Sequence, residues 1–228
     1  MKSYYDEKLS AERLRRCYQI APPRVKQYLN AEIEHVLARM KPGSIVLELG
    51  CGYGRVLEAL TRKAGFLVGV DISLASLTMA RKGLSRASSC KLVQANAVLL
   101  PFRSRVFDLV VCIQNGISAF HVDGSELIRE AVRVTKHGAA ALFSSYSDKF
   151  WDNRLEWFRL QAKEGLLGEI DEEKARKGVI ETRDGFKATT VRPDDFLSLT
   201  DGLGVETEIV EVDESSLFCE IVARGPRT

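Results

Sequence analysis

The chain has 228 residues, of which 45% are hydrophobic and 28% are charged. This length and balance are typical of one globular domain with a sizeable core, and they exclude an intrinsically disordered chain. Lys and Arg (33) nearly balance Asp and Glu (31), which leaves a net charge of +2. Proteins that bind nucleic acid through its phosphates usually carry a clear basic excess, so the composition does not favour a nucleic-acid partner.

The five cysteines are scattered and form no CxxC pair, so no zinc site or redox dithiol is predicted. Cys51, Cys112 and Cys219 lie among apolar or glycine-rich neighbours and are predicted to be buried thiols. Reduced cysteines and an N-terminus without a signal-peptide pattern predict a cytoplasmic protein. No apolar run approaches the roughly 18 residues of a membrane span, so no membrane partner is expected.

Helical and strand-like patterns alternate along most of the chain. Residues 6–20 and 23–40 are predicted as amphipathic helices, separated by Pro22-Pro23 because proline is tolerated only in a helix's first turn. Continuous apolar strands that alternate with helices predict a parallel sheet covered on both faces. The strands are predicted at 45–47, 66–70, 91–93, 107–113 and 139–144, and the intervening helices near 54–64, 73–83 and 123–135.

The end of the chain has a different pattern. Residues 205–212 and 217–223 flank a short polar turn, which predicts a β-hairpin and so an antiparallel element at the sheet edge. Residues 146–200 form an extra stretch, interpreted as a cap over the active-site edge. This cap is predicted as a charged helix over about 150–177, followed by a hairpin around Asp184-Gly185.

The most informative segment is Glu48-Leu49-Gly50-Cys51-Gly52-Tyr53-Gly54-Arg55, where a strand runs into a glycine-rich turn and then a helix. Glycines without Cβ atoms permit unusual dihedrals and let a ligand approach the backbone. Dinucleotide sites follow G-x-G-x-x-G, whereas the spacing here is G-x-G-x-G with an acidic residue two positions before it. A strand-to-helix turn without a ligand remains the alternative for this segment alone.

This segment resembles motif I of class I S-adenosylmethionine (SAM)-dependent methyltransferases, in which the acidic residue and glycines surround the methionine part of SAM. Three further segments resemble the family in the expected order. Asp71 ends the second strand and implies a ribose contact, Gln94-Ala95-Asn96-Ala97 implies an adenine contact, and residues 107–113 resemble the strand leading to the transfer site. The family often has aspartate at the position of Asn96, and we expect the amide oxygen to serve instead.

The resemblance implies an α/β fold: a Rossmann-like, seven-stranded, mostly parallel sheet with an antiparallel C-terminal hairpin strand in three α/β/α layers. It implies a single domain over residues 1–228, with an N-terminal helical lid of about 1–40 and a cap insertion of about 146–200. SAM is the implied cofactor and S-adenosyl-L-homocysteine the product. The implied cofactor-binding residues are Glu48, Gly50, Cys51, Gly52, Gly54, Asp71, Ile72, Asn96, Ala97 and Gln114.

Methyl transfer from a sulfonium is an in-line displacement that gains mainly from alignment and exclusion of water, so a general base is optional. The turn from Gln114 to Ser118 looks like the asparagine-containing turn of small-molecule N-methyltransferases of the glycine/sarcosine kind. Candidate catalytic residues are Asn115, His121 and Tyr146, and a structural role is the alternative for each. His35 and His137 are predicted to be structural.

Several residues of the predicted lid and cap have two interpretations each. Tyr4, Tyr5, Tyr18 and Arg24 either close over the SAM pocket or pack the N-terminal helices on the sheet. Trp151, Trp157 and Phe158 are spaced as an apolar helix face, which favours a core role over an acceptor pocket.

The leading hypothesis is a SAM-dependent methyltransferase for a small-molecule acceptor, as a monomer or homodimer and without a metal. The alternatives are an RNA or protein methyltransferase, a non-catalytic SAM-binding regulatory protein and, least favoured by the glycine spacing, a nicotinamide-dependent oxidoreductase.

Overall fold

A computed structural model describes residues 4, 8–175 and 179–224 of the chain. Its central sheet has seven strands: β1 (Ile45–Leu49), β2 (Phe66–Asp71), β3 (Cys90–Gln94), β4 (Phe107–Cys112), β5 (Thr135–Tyr146), β8 (Val205–Val212) and β9 (Ser216–Ala223). Their order in the sheet is β3-β2-β1-β4-β5-β9-β8, and a separate pair contains β6 (Ile180–Glu181) and β7 (Lys187–Ala188). The first five strands pair in parallel, and β9 is antiparallel to both of its neighbours. The predicted Rossmann-like fold is therefore confirmed.

Helices cover both faces of this sheet. They are α1 (Ala11–Gln19), α2 (Pro23–Arg39), α3 (Arg55–Leu60), α4 (Leu74–Gly83), α5 (Gly116–Ala119), α6 (Gly124–Val134), α7 (Trp151–Lys163), α8 (Glu172–Ala175) and α9 (Pro193–Thr200). Successive strand residues point to opposite faces, so Val46 packs with α2, α3 and α4 while Leu47 packs with α6 and α9. The result is the predicted three-layer α/β/α arrangement.

Besides the apolar clusters on the two faces of the sheet, a third apolar cluster lies beyond the carboxyl ends of the strands. It joins α1 and the first half of α2 to α7 and to the β6–β7 hairpin. Trp157 and Phe158 are buried in it, and the Trp157 indole donates a 2.9 Å hydrogen bond to the Cys17 carbonyl of α1. The N-terminal segment and the segment after β5 therefore pack on each other at the edge of the sheet where a ligand site is expected.

Two details of the sequence prediction are corrected. The charged helix predicted over about 150–177 ends at Lys163, because Gly165 adopts a left-handed φ of +67° and Ile170 then bridges to Thr182. The strand predicted at 139–144 begins earlier, at Thr135, so His137 lies inside β5, within a register shift opposite β4. The predicted hairpin at the sheet edge is confirmed as β8 and β9, and β8 is the outermost strand.

The five cysteines are all free thiols, and Cys51, Cys112 and Cys219 are buried as predicted. Across the described ranges of the chain, no helix combines the length and apolar character that crossing a bilayer would need.

Candidate functional site

A cavity of about 140 Å³ lies beyond the carboxyl ends of β1, β2 and β4. In open parallel sheets ligands bind in the crevice at this edge, where the strand order reverses, and here β1 is flanked by β2 and β4. Leu14 and Tyr18 of α1, with the preceding Leu9, form the opposite wall. The other lining residues are Glu48, Gly50, Cys51, Gly52, Tyr53, Arg55, Val56, Asp71, Ile72, Ser76, Ile113, Gln114, Gly116, Ala119 and Phe120.

The glycine loop bends sharply between β1 and α3. Gly50, Gly52 and Gly54 all have left-handed φ values, of +73°, +51° and +88°. The amides of Gly50 and Cys51 both donate to the carbonyl of Val70, at 2.8 and 3.0 Å, which fastens the loop to the end of β2. Backbone thus forms the floor of the cavity, and a ligand can approach it closely.

Asp71 ends β2 at the rim of this cavity. One carboxylate oxygen accepts the Gly52 amide at 2.8 Å, and the other accepts the Ser73 amide at 2.8 Å. A carboxylate at this position is a suitable acceptor for the hydroxyl groups of a ligand. The carboxylate is therefore oriented by the loop and partly exposed to the cavity.

Glu48 lies deeper in the cavity and is 4% exposed. Its Oε2 atom is buried and has no hydrogen-bond partner among the described residues. Burial raises the pKa of Glu48 to about 8, the Arg55 guanidinium lowers it, and the negative charge of Asp71 raises it. An unpartnered carboxyl oxygen on a residue that lines the cavity fits an ammonium group, which would supply both the missing hydrogen bond and the balancing charge.

A raised pKa of Glu48 would make the binding of an ammonium ligand dependent on pH. At pH 7 the Glu48 carboxyl of the free protein is mainly protonated, because its pKa is about 8. An ammonium ligand favours the carboxylate, so binding is expected to release about one proton and to tighten as pH rises from 6 to 8. Calorimetry of SAM binding at pH 7, in two buffers of different ionisation enthalpy, measures this release.

Glu48→Gln is the matched variant for that measurement, because an amide cannot titrate. We expect this variant to release about one proton fewer than the parent protein when SAM binds. Equal proton release by the parent protein and this variant would contradict the assignment of Glu48 to the ammonium group.

Of the residues implied to lie near adenine, one lines the cavity and two do not. Ile72 lines the cavity and is 37% exposed, which provides an apolar surface for a flat ring. Asn96 is exposed outside the cavity lining, and its side-chain oxygen accepts the Val98 amide at 3.1 Å. Ala97 is buried in the core below the loop. The expected adenine contacts of Asn96 and Ala97 therefore stay predictions.

The turn after β4 contains two consecutive non-glycine residues with left-handed φ, Gln114 at +59° and Asn115 at +58°. Gln114 lines the cavity, and its side-chain oxygen accepts a hydrogen bond from the Arg55 guanidinium. The buried Asn115 side chain donates to the Thr189 carbonyl at 3.0 Å and accepts from the Ser145 hydroxyl at 2.8 Å. Both ends of the Asn115 amide thus connect the turn to its neighbours, which supports the structural alternative for this residue.

A second cavity of about 50 Å³, called the aromatic chamber here, adjoins the first. Leu9, Leu14, Tyr18 and Gln114 line both cavities. The remaining residues of the aromatic chamber are Cys17, Tyr28, Leu29, Tyr146, Trp157, Phe158, Gln161 and Phe186. Of the candidate catalytic residues, Tyr146 lies in this chamber.

His121 and the predicted lid residues are elsewhere. His121 is exposed and lines a separate open cleft beside α9. Arg24 donates 2.6 Å hydrogen bonds to the side chain and carbonyl of Asp213, and the Tyr4 hydroxyl donates to Asp184 at 2.7 Å. Tyr18 alone of this group lines the cavities, and Tyr5 lies outside the described residues.

Sequence reasoning missed Arg55 as a functional residue. Its guanidinium stacks over the Tyr18 ring at 4.5 Å and bonds to Gln114, so it connects the glycine loop, α1 and the turn after β4. Its position directly after the last glycine of the loop was the available signal.

A glycine loop, an acidic residue at the end of the second strand and a buried carboxyl oxygen without a hydrogen-bond partner among the described residues fit a nucleoside ligand that carries an ammonium group. Comparisons of the sequence and the fold with known proteins agree with this class of ligand. The family described as "Methyltransferase domain" matches residues 46–138. This segment runs from the second residue of β1 into the start of β5 and includes the glycine loop.

Two relatives and one solved structure illustrate the similarity. An uncharacterised protein of Methanocaldococcus jannaschii is 28% identical over 209 residues, 90% of this chain and 75% of the relative. A ubiquinone biosynthesis O-methyltransferase of Hahella chejuensis is 34% identical over 107 residues, but these span only 46% of this chain and 44% of the relative. The N-methyltransferase NodS of Bradyrhizobium japonicum, solved with S-adenosyl-L-homocysteine, superposes with a TM-score of 0.64 at 16% identity, covering 96% of this chain and 95% of that one.

Residues 46–138 therefore form a methyltransferase domain, and the fold of the chain is the Rossmann-like fold of the class I SAM-dependent methyltransferases. These are enzymes, and SAM is their cofactor.

Proposed function

We propose that this protein transfers the methyl group of SAM to a small, uncharged organic acceptor whose reacting end enters the aromatic chamber. The observation that carries this proposal is the shared wall of the two cavities, where Gln114, Tyr18, Leu9 and Leu14 line both. Bound SAM supplies an activated methyl group on a sulfonium. An acceptor in the adjoining cavity would meet it without exposure to bulk water.

The small volume and buried lining of the chamber favour a small molecule over RNA or protein. The surrounding helices bury most of its aromatic lining, with Tyr28, Trp157 and Phe186 at 0–5% exposure. A volume of about 50 Å³ admits only the reacting end of an acceptor in this conformation. A larger acceptor would have to displace α1 or α7.

The charges around the chamber favour a neutral acceptor over an amine cation. Its lining includes no Asp, Glu, Lys or Arg within the described ranges. Aromatic rings attract cations, but the Tyr146 ring already has the buried Arg154 guanidinium over it at 4.1 Å, and the Tyr18 ring has Arg55 at 4.5 Å. These protein cations repel a second positive charge.

The assignment of SAM contacts is part of the same proposal. Asp71 holds the ribose hydroxyls, Glu48 holds the ammonium group, and Ile72 contacts the adenine ring. Arg55 lies near enough to Glu48 to lower its pKa, and it supplies the positive charge that the carboxylate of SAM needs. The relative from Hahella chejuensis is named for O-methylation in ubiquinone biosynthesis, which agrees with an uncharged acceptor.

The deciding experiment follows methyl-labelled SAM into a fractionated extract, with Asp71→Ala protein as the control. We expect the label in a small molecule that cation-exchange resin does not retain at acid pH. Label in a retained cationic product would contradict the neutral acceptor, and label in RNA or protein would support the macromolecular alternative. No label, despite measured SAM binding, would favour a regulatory SAM-binding protein.

Tyr28→Phe tests the chamber directly. The Tyr28 hydroxyl is buried beside Tyr146 and makes no hydrogen bond of standard geometry with a described residue. Removing it is expected to leave the melting temperature unchanged or raise it, because an unsatisfied buried hydroxyl is destabilising. The kcat/KM for the acceptor is expected to fall about tenfold through loss of one hydrogen bond.

The matched control is Tyr53→Phe, which removes a hydroxyl from the cofactor cavity and leaves the aromatic chamber intact. Thermal unfolding and acceptor titrations are measured for both variants. A Tyr28→Phe protein with unchanged kcat/KM for the acceptor would exclude this hydroxyl from acceptor binding.

A further inference from the structure

A carboxyl group outside the lining of both cavities lies beneath the turn after β4. Glu32 of α2 is fully buried, at 0% exposure. It accepts hydrogen bonds from the Gln114 amide at 2.6 Å, from the Ser144 hydroxyl at 2.9 Å and from the Ser216 hydroxyl at 2.6 Å. One side chain thus joins α2 to the ends of β4 and β5 and to the start of β9.

The backbone that Glu32 contacts is in a conformation that L residues avoid. Gln114 and Asn115 both have left-handed φ values, and neither is glycine. Such conformations persist only where the surroundings hold them. Asn115 is held through its side chain by Ser145 and Thr189. The Gln114 backbone is held by Glu32 and by the Ser144 hydroxyl, which accepts the same amide at 2.8 Å.

The orientation of Gln114 matters for both cavities. Its side chain lies on their shared wall and accepts a hydrogen bond from Arg55. Arg55 in turn stacks on Tyr18 of α1. A change in the Gln114 backbone would therefore move Arg55 and the aromatic ring that separates the two cavities.

We propose that Glu32 is a positioning residue, which holds the Gln114–Asn115 turn in its left-handed conformation and thereby sets the wall between the cofactor cavity and the aromatic chamber. This role concerns the architecture of the site and does not depend on the identity of the acceptor. Only its expected effect on SAM affinity rests on the proposed function, in which Arg55 contacts SAM.

The hydrogen-bond pattern identifies the informative substitutions. In Glu32→Gln the amide oxygen can still accept from Gln114 and Ser144, while the amide nitrogen donates to a Ser216 hydroxyl that has reversed its direction. Glu32→Leu keeps the buried volume but removes every acceptor. Thr135→Val is the matched control, because it deletes a buried hydroxyl that donates to the Ala131 carbonyl at 2.8 Å, at the other end of β5.

Hydrogen–deuterium exchange of the intact chain provides a readout that does not require an acceptor. Glu32→Leu and Thr135→Val are compared under conditions where their free energies of unfolding are equal. We expect the peptide covering residues 113–119 to exchange at least about tenfold faster in Glu32→Leu than in Thr135→Val, because a buried hydrogen bond to an acidic group is lost. SAM affinity by calorimetry is expected to fall about tenfold through Arg55. Glu32→Gln is expected to stay within about threefold of the parent in both measurements.

Equal exchange of this peptide in Glu32→Leu and Thr135→Val would overturn the proposal, and so would a Glu32→Gln protein that behaves like Glu32→Leu. Ser144→Ala is a milder variant if Glu32→Leu does not fold, since it removes one acceptor of the Gln114 amide and one donor to Glu32. It is expected to raise exchange about threefold in that peptide alone. Absence of this local rise would also overturn the proposal, whereas failure of methyl transfer in the parent would count only against the proposed function.

Discussion

Replacing Asp71 by alanine is expected to weaken SAM binding at least about 100-fold. A carboxylate that accepts two ribose hydroxyls makes charge-assisted hydrogen bonds worth about 1.5–3 kcal/mol each, and about 1.4 kcal/mol corresponds to a factor of ten. Asp71 also orients the loop through the Gly52 and Ser73 amides. The substitution therefore removes both a ligand contact and the restraint on the cavity floor.

Asp108→Ala is the matched control for this experiment. Asp108 is also a strand carboxylate, but it lies near the amino end of β4, where it accepts the Ile45 amide at 2.9 Å and pairs with Lys136 at 2.6 Å. We expect Asp108→Ala to lower stability and leave SAM affinity within about twofold. Calorimetric titration of both variants measures the difference. An Asp71→Ala protein that binds SAM as tightly as the parent would refute the ribose assignment.

Gly50→Val is expected to abolish measurable SAM binding and to cost about 2–4 kcal/mol of stability. Gly50 has a φ of +73°, which a β-branched residue adopts only with strain. An added Cβ would also lie 3.0 Å from the Phe120 ring. Relief of this contact requires the Phe120 ring or the loop to shift, and a shift of the loop would weaken its hydrogen bonds to Val70.

Gly83→Ala provides the comparison, because Gly83 ends α4 with open space around its Cβ position. Alanine is expected to be neutral or slightly stabilising there. Chemical unfolding and SAM titration are measured for both substitutions. Retention of parental SAM affinity by Gly50→Val would mean that the loop does not contact the cofactor.

The sequence indicated the sheet and the glycine loop because their signals are local. Each buried strand is a continuous apolar run, and the loop follows directly after Glu48. The predicted length of α7 was wrong, because the left-handed conformation of Gly165 ends the helix although the charged pattern that follows is compatible with one. Helix α9 was missed although Pro193 opens it and Asp195 completes its first turn.

The aromatic chamber was not predicted because its walls come from distant parts of the chain, from Leu9 to Phe186. Glu32 was missed for a different reason. Acidic residues on a helix are usually solvated, but Glu32 lies between Leu29 and Ile33 on the buried face of α2. That position was the signal available in the sequence. The three hydrogen-bond partners of Glu32 are brought beside it only when β4, β5 and β9 are assembled.

The shared wall of the two cavities has a thermodynamic consequence. Leu9, Leu14 and Tyr18 face both compartments, so any shift of α1 that accompanies occupation of one changes the free energy of occupying the other. Linkage requires this coupling to be reciprocal. An acceptor that tightens SAM binding by some factor must itself be bound more tightly, by the same factor, in the presence of SAM. Cofactor affinity measured across a panel of candidate molecules therefore identifies those whose binding is coupled to that of SAM before any turnover is observed.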